Sequence, residues 1–593
     1  MDAHEIPSGP LVGKALLYFT SVFVSLGVFL FGYDQGVMSG VITGPYFKLY
    51  FNNPSSSTIG TTVAILEIGA LVSSLYVGHI GDVIGRRRTI RYGALIFVIG
   101  GAVQTFAVSI HNLILGRIIS GIGVGLLSTI VPVYQSEISP PHNRGKLACI
   151  EFTGNIVGYA SSVWTDYFCT FIESDLSWRV PLFVQCVIGM FLLFGSFVIV
   201  ESPRWLLDHD HDAEGIVVIA DLYAGGDVNA EAAREEFRGI KESVLMSRME
   251  GEKTYSEMFK RYSTRLFIAM SAQVFAQFNG INVISYYAPL VFEQAGWLGR
   301  DAILMTGING IVYIMSTIPP WYLVDNWGRR PILISGGIIM ALSLFMVSYV
   351  SYLDIARTPA LVVTFVIIYN AGFGFSWGPI PWLFPPEILP LSVRAKGASM
   401  STATNWAANF VVGQLAPVLL ETIHWRLYLI HTASCIISVI VVITVYPETS
   451  GLQLEDMDSL FDDRSSTFSF HGNSSTYGAT NDDDTSLLSS RFRSAAAMAR
   501  HPLGDSIGSH SQLLHTSDMS VHSQTAHSPL IQPQDVEPPD LAAILAYKNS
   551  DQNSIRGSIR RGSEAVSSIF KFGKKDGDNE SAYESDDQSS SHV

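Results

Sequence analysis

The sequence predicts an all-α membrane protein: twelve transmembrane helices in two six-helix pseudo-repeats, followed by a disordered C-terminal tail. Three observations carry this. Mean hydropathy is +0.29 and only 15% of the 593 residues are charged, against about 25% in soluble proteins. Apolar runs of roughly 20 residues, each long enough to cross a hydrocarbon core of about 30 Å, recur between residues 15 and 446. Two charged motifs return in the second half of this region, in the same order, at offsets of 243 and 250 residues.

In chain order the runs lie near 15–38, 58–80, 90–109, 112–135, 147–168, 180–200, 264–290, 302–325, 331–352, 359–384, 398–420 and 427–446. The short polar start at 1–14 lacks a small-residue cleavage pattern, so no cleaved signal peptide is expected. Basic residues follow the even-numbered runs: Arg86, Arg87, Arg88 and Arg91; Arg144 and Lys146; Arg329 and Arg330; Arg394 and Lys396. By the positive-inside rule both termini and the polar, helix-prone segment 201–262 face the cytoplasm. That segment divides a bundle at 15–200 from a second at 263–446, and the tail fills 447–593.

The repeated motifs are Asp82-x2-Gly85-Arg86-Arg87, echoed by Asp325-x2-Gly328-Arg329-Arg330, and Glu137 with Arg144, echoed by Glu387 with Arg394. Glycine suits the tight turn before the arginines. The arginines are expected to pair with the nearby acids and latch one half to the other. Parallel six-span repeats with a site between them are one transporter plan.

Other chemistry is thin. Cys149, Cys169, Cys186 and Cys435 form no CxxC and lie in or beside apolar runs, so they read as apolar filling. Gly121–Gly125 sits inside an apolar run, where small residues permit close helix packing rather than phosphate binding. Asp208-His209-Asp210-His211-Asp212 reads as a solvated loop rather than a metal site. There is no catalytic set, no Walker sequence and no nucleic-acid footprint, so neither an enzyme nor a cofactor is expected.

The tail holds 22 acidic and 11 basic residues and so supplies −11 of the formal −15. The acidic balance therefore says little about a substrate. The tail is rich in Ser, Asp and His with few aromatics, a disordered composition. Asp483-x3-Leu487-Leu488 matches a sorting-adaptor pattern. Ser563, after Arg560-Arg561, matches a kinase target, and residues 556–575 mix basic and apolar residues as a membrane-surface helix would.

Inside the seventh run, AQFNGINVISYYAP places Gln277, Asn279, Asn282, Tyr286 and Tyr287 at membrane depth. An unsatisfied polar group in lipid costs several kcal/mol. These side chains must therefore face a wet cavity or bond to another helix. Asp34 and Glu67 are carboxylates at similar depth, each costing about 2.5–3.5 kcal/mol on insertion scales, so each should be paired or functional.

FGYDQG, GHIGDVIGRRR, VPVYQSEISPPHNRGK, ESPRWL, QVFAQFNGINVISYYAP, DNWGRRP, WGPIPWLFPPEILPLSVRAKG and YPETSG occur in that order. Together they resemble the sugar porter branch of the major facilitator superfamily, most like its fungal members, over residues 15 to 455. The resemblance implies a sugar or polyol substrate. Gln277 and Asn282, five residues apart, reach one ligand if the helix unwinds near Gly280. Trp382, Asn409 and, one turn earlier, Asn405 would line the same site, with Tyr286 and Tyr287 beside it. The chain departs from the family at Ala276, Phe152 and Tyr313, where amides are usual, and at Gly374, where some facilitative members carry an acid; Asn309 lies one turn before Tyr313.

Proton-coupled relatives carry an acid at the position of Asp34, and Arg117 is the family's fourth-span arginine. The resemblance thus implies sugar:proton symport, with the proton as coupling ion, Asp34 and Arg117 as a charge switch, and Glu67 as a second proton site. A facilitative sugar or polyol carrier, or a nutrient sensor signalling through the tail, are the alternatives. A monomer in the plasma membrane is expected, with the vacuolar membrane as alternative.

Overall fold

A computed structural model describes residues 12–138, 144–250, 254–390, 393–450 and Phe461. The tail motifs at 483–488 and 556–575, Ser563 included, lie outside these residues. The described chain is helical throughout. The first half contains α1 (Lys14–Val41), the short α2 (Pro45–Tyr50), α3 (Ser56–Ile84), α4 (Arg86–Thr105), α5 (Ile110–Ile138), α6 (Arg144–Cys169) and α7 (Leu176–Gly195). The connecting segment folds as α8 (Pro203–Asp208), α9 (Asp212–Tyr223), α10 (Glu231–Glu250) and α11 (Tyr255–Arg261). The second half contains α12 (Ser263–Phe278), α13 (Ile281–Gln294), α14 (Arg300–Ser316), α15 (Pro320–Leu323), α16 (Arg329–Leu353), α17 (Thr358–Phe375), α18 (Ile380–Ile388), α19 (Arg394–Ile423) and α20 (Arg426–Thr444).

Counting α12–α13, α14–α15 and α17–α18 as one rod each, twelve rods result, as the apolar runs predict. Ten are long and apolar enough to cross a membrane. The other two, α4 and α6, are as long but carry charge: four arginines open α4, and α6 holds Arg144, Lys146, Glu151 and Asp166. Three rods begin four residues ahead of their apolar runs, α4 at Arg86, α7 at Leu176 and α19 at Arg394. Helices extend into their polar flanks, which hydropathy alone does not register. Large apolar side chains such as Val72, Tyr76, Phe191, Phe194, Leu342 and Ile440 stand exposed on the outside, the surface a lipid solvent requires.

The halves meet along three seams: α3 on α19, α6 on α14, and α1 on α13. Small residues set the spacing within the first half. A Cβ on Gly121 would fall 2.1 Å from the Leu66 carbonyl oxygen, and one on Gly125 would fall 2.4 Å from that of Ala70. The glycines of 121–125 are therefore close-packing residues, as read.

The seventh rod breaks where the polar stretch lies. Gly280 takes φ 98°, a left-handed value, and joins α12 to α13. A Cβ there would meet His431 at 2.9 Å. The groups freed by the break find partners: Tyr369 donates its hydroxyl to the Asn279 carbonyl (2.9 Å), His431 Nδ1 lies 2.8 Å from that of Phe278, and the Asn279 amide bonds Ser434 and Ser438.

Prolines inside helices free further carbonyls, and three of these take a side-chain donor from another helix. A proline has no N–H for the carbonyl four residues back and crowds it. Pro289 frees Ser285, which takes the Tyr159 hydroxyl across the α6–α13 interface at 3.2 Å. Tyr287, between them, leaves helical geometry (φ −122°, ψ 19°). Pro417 frees Gly413, which takes the Tyr287 hydroxyl at 2.7 Å. Pro385 frees Pro381, which takes Gln273 Nε2 at 2.8 Å. Tyr159→Phe is therefore expected to cost about 1–3 kcal/mol, the usual cost of an orphaned buried acceptor. In a Pro289→Ala background, where a restored N–H reclaims the carbonyl, the same change should cost less. Melting temperatures of the four proteins give the comparison.

The connecting segment has its own small core of Leu207, Ile216, Ile219, Ala220 and Phe237. The acidic run 208–212 stays at the surface but is not free: Asp212 and Asp210 hold the buried Lys241 ammonium (2.8 and 3.4 Å), and Asp210 and Asp208 hold Arg248 (3.1 and 3.4 Å). The run ties the loop to α10.

Candidate functional site

Asp34 lies late in α1 and faces Arg117 on α5. Nη1 of Arg117 reaches the two carboxylate oxygens at 3.1 and 3.2 Å, and both side chains are buried, at 2% and 1% exposure. Nη2 donates to the Val63 carbonyl on α3 at 2.9 Å. One turn further along α3 is Glu67, also fully buried. A pair this dry gains most of its Coulomb attraction and is costly to break from one side only.

Glu67 is one end of a hydrogen-bonded chain that crosses between the halves. Tyr286 on α13 donates its hydroxyl to Glu67 Oε1 at 2.8 Å. The same hydroxyl accepts from Gln35 Nε2 (3.2 Å) and from Asn409 Nδ2 on α19 (3.0 Å). Asn409 Oδ1 accepts from Asn282 at 2.6 Å. Asn282 also donates to Gln277 Oε1 across the Gly280 break, and Gln277 Nε2 donates to Asn405 Oδ1 at 2.6 Å. The left-handed glycine is what turns Gln277 and Asn282, some 140° apart on an unbroken helix, into direct partners. Both ends of the chain are open: Glu67 Oε2 and Asn405 Nδ2 have no hydrogen-bond partner among the described residues. An amide offers donors and an acceptor together, so the cluster can exchange its internal bonds for those of a polyhydroxylated ligand without stranding groups.

The structure thus brings together Gln277, Asn282, Asn405, Asn409, Tyr286 and Glu67, and sets Asp34 and Arg117 beside them. Tyr287 stands apart, spent on the Gly413 carbonyl. Trp382 is half-buried on α18, directly after the Pro381 whose carbonyl Gln273 holds, one turn ahead of Gln277. Gln35 was not singled out in the sequence, although it follows Asp34. Asp166, an acid in the apolar run of α6, was also passed over; it is buried and lies directly against Gly40 of α1.

The arginine motifs correct one expectation. Arg86 grips Glu137 with Nε and Nη2, both at 3.0 Å, and Asp82 with Nη1 at 3.0 Å. Arg329 reaches Glu387 at 2.7 Å and Asp325 at 3.0 Å. The first set lies wholly in the first half and the second wholly in the second, so these pairs do not latch one half to the other. The reason is reach: each arginine opens a helix whose packed neighbours belong to its own bundle. Glu201 and Glu448, which sequence reading missed, complete the two sets. Glu201 accepts the backbone N–H groups of Arg86 (2.9 Å) and Arg87 (3.0 Å), and Glu448 those of Arg329 and Arg330 (2.9 Å each). Helix N-termini are where anionic groups are favoured. Gly85 and Gly328, at φ 92° and 97°, leave room for these carboxylates: a Cβ on either would come within 2.6 Å of one. Burial pushes the Glu201 carboxyl above its ordinary pKa even so. Arg394 bonds the Leu389 carbonyl; the Arg144 side chain lies outside the described residues.

Bonds between the halves are made at both ends of the bundle. Near the arginines, Trp321 Nε1 donates to Thr153 at 2.9 Å. At the opposite end, Ser56 donates to Glu421 (2.5 Å), and Gln414 to Thr61 (3.1 Å).

Two pseudo-symmetric six-helix halves enclosing a buried polar cluster and an intramembrane ion pair define a membrane transporter of the major facilitator type. Residues 20–461 match the family described as "Sugar (and other) transporter", and the chain belongs to that family. It is 35% identical over 461 residues to the MFS-type transporter criB of Aspergillus cristatus, covering 76% of this chain and 95% of that one. It is 33% identical over 469 residues to a high-affinity glucose transporter of Kluyveromyces lactis, covering 75% and 85%. Among solved structures, the proton:xylose symporter XylE bound to 6-bromo-6-deoxy-D-glucose superposes with a TM-score of 0.67 at 28% identity, covering 76% of this chain and 99% of that one.

Proposed function

We propose that this protein is a sugar:proton symporter that works by alternating access, with its two halves as rigid bodies. The observation that carries the proposal is the hydrogen-bonded chain from Asn405 to Glu67, which joins amides of one half to an acid of the other beside the Asp34–Arg117 pair. Gln277, Asn282 and Asn409 would bind the hydroxyls of a hexose, pentose or polyol, with Trp382 against an apolar ring face. The family, the glucose transporter among its relatives and the proton:xylose symporter among its structural neighbours support the same reading.

In this mechanism protonation of Asp34 releases Arg117 and lets the halves close around the sugar. Loss of the proton on the other side restores the pair. Glu67, held by Tyr286, is the second acid of the cycle. The internal arginine sets keep each half rigid while the seams between them open alternately. The arginine-bearing end would face the cytoplasm of a cell whose plasma membrane holds the protein, as its basic residues favour.

Uptake of radiolabelled D-glucose, D-xylose and D-sorbitol into proteoliposomes, with and without an inward proton gradient, tests the proposal. Accumulation above the external concentration only when the gradient is present is the expected result. Equilibration alone in both conditions would indicate a facilitative carrier.

A further inference from the structure

The segment between the halves presents a helix face that the fold leaves uncovered. On α10, Ala233 and Phe237 join the small core of that segment, and Lys241 and Val244 are buried on the same side. The opposite side carries Glu231, Glu235, Glu242, Met246 and Met249, all exposed. Their spacings of four, seven, four and three residues put them in one stripe. Met246 is 47% and Met249 50% exposed.

Acids bracket the two methionines. Glu242 lies one turn before Met246. On the other flank Arg248, next to Met249, holds Asp208 and Asp210 at 3.4 and 3.1 Å, and half or more of each of these acid side chains is exposed. Such a face suits a basic amphipathic segment. Unbranched thioethers adapt to whatever apolar side chains arrive, and the carboxylates meet the flanking cations. An anionic bilayer surface does not suit it. Residues 203–250 hold eleven acidic and five basic residues. On the cytoplasmic side, where the basic residues are expected to place this segment, the leaflet is itself negative.

The chain carries a segment of the matching pattern. Six of the tail's eleven basic residues fall within 556–575, against one acid. Arg560 and Arg561 stand before an apolar trio, Val566, Ile569 and Phe570, and Lys571, Lys574 and Lys575 follow it. The trio has the spacing of one helix face. Cations, apolar face and cations thus meet acids, methionines and acids. The connection is long enough. Ser450 bonds the Asp325 carbonyl at the arginine-bearing end, and 105 residues separate it from Arg556. A random coil of that length reaches roughly 50–60 Å.

We propose that residues 556–575 dock in cis on the exposed stripe of α10, with Val566, Ile569 and Phe570 against Met246 and Met249 and the flanking cations on the acids. The inference does not depend on which solute is carried.

Met246 and Met249 report the cover directly, because oxidation to the sulfoxide follows exposure. The full-length protein and a chain ending at Ile555 are treated with dilute peroxide, in neutral detergent and in bilayers containing anionic lipid. Mass spectrometry follows the sulfoxide at each methionine. A tethered segment binds at the effective concentration its linker sets, so oxidation should be roughly threefold or more slower in the full-length chain in both settings. Arg560→Glu/Arg561→Glu/Lys571→Glu should remove the protection, and adding Glu235→Lys/Glu242→Lys should restore it. Equal rates in the full-length and shortened chains overturn the proposal. Protection that survives the charge reversal overturns the assignment to this segment. Protection seen in detergent but lost in anionic bilayers would put the segment on the membrane surface and overturn docking in the embedded protein.

Discussion

Concentrative uptake is expected to disappear in Asp34→Asn while exchange of labelled for unlabelled sugar persists. One proton moving down about 100 mV gains about 2.3 kcal/mol, and one pH unit adds about 1.4. Together these sustain an accumulation of a few hundredfold at about 1.4 kcal/mol per tenfold. An asparagine imitates the protonated acid permanently, so the halves cycle with sugar but no proton is carried. The steady-state ratio should fall to about one. The variant also leaves the Arg117 guanidinium buried without its counterion, with only neutral acceptors, the asparagine oxygen and the Val63 carbonyl, to hold it. Breaking a buried pair from one side costs about 3–5 kcal/mol, so its melting temperature should drop. Asp34→Asn/Arg117→Gln should recover much of that stability and none of the accumulation. An Asp34→Asn protein that still concentrates sugar in proteoliposomes would remove the charge switch.

The second large effect is expected at Asn282. Its amide nitrogen serves Gln277 and Asn409 at once, so it is the link that joins Gln277 and Asn405 to the rest of the chain. Asn282→Ala removes one ligand for the sugar and leaves two neighbouring acceptors without their donor. Loss of that one ligand, at about 1–3 kcal/mol for a buried hydrogen bond left unmade, should lower the apparent affinity by roughly 10- to 100-fold. The loss should appear in KM and in equilibrium binding. Asn405→Ala, at the open end of the chain, removes a single acceptor and should cost less. Equal affinities for wild type and Asn282→Ala would place the sugar elsewhere.

Much of this site was legible in the sequence because polar groups in an apolar run have few physical explanations. Gln277, Asn282 and Gly280 announced a broken helix whose amides needed partners, and Asp34 announced a partner, which the resemblance identified as Arg117. Helix periodicity says which residues share a face, but not which helix that face meets. For that reason the three proline-freed carbonyls and their donors, Tyr159, Tyr287 and Gln273, were not foreseeable. Each pairing joins residues more than 100 positions apart. Gln35 was overshadowed by Asp34, and Glu201 and Glu448 by the arginines whose helices they cap. The arginine pairs were read correctly in chemistry and wrongly in geometry, since motif spacing carries no information about which bundle a side chain can reach.

Sugar-evoked charge movement on a solid-supported membrane would address the coupled site most directly. With wild-type proteoliposomes, addition of a transported sugar should drive a sustained inward positive current that grows as the outer solution is acidified. Asp34→Asn should bind the sugar yet carry no sustained current. A wild type that moves sugar without charge, or an Asp34→Asn protein with the wild-type current, would contradict proton-coupled transport through Asp34.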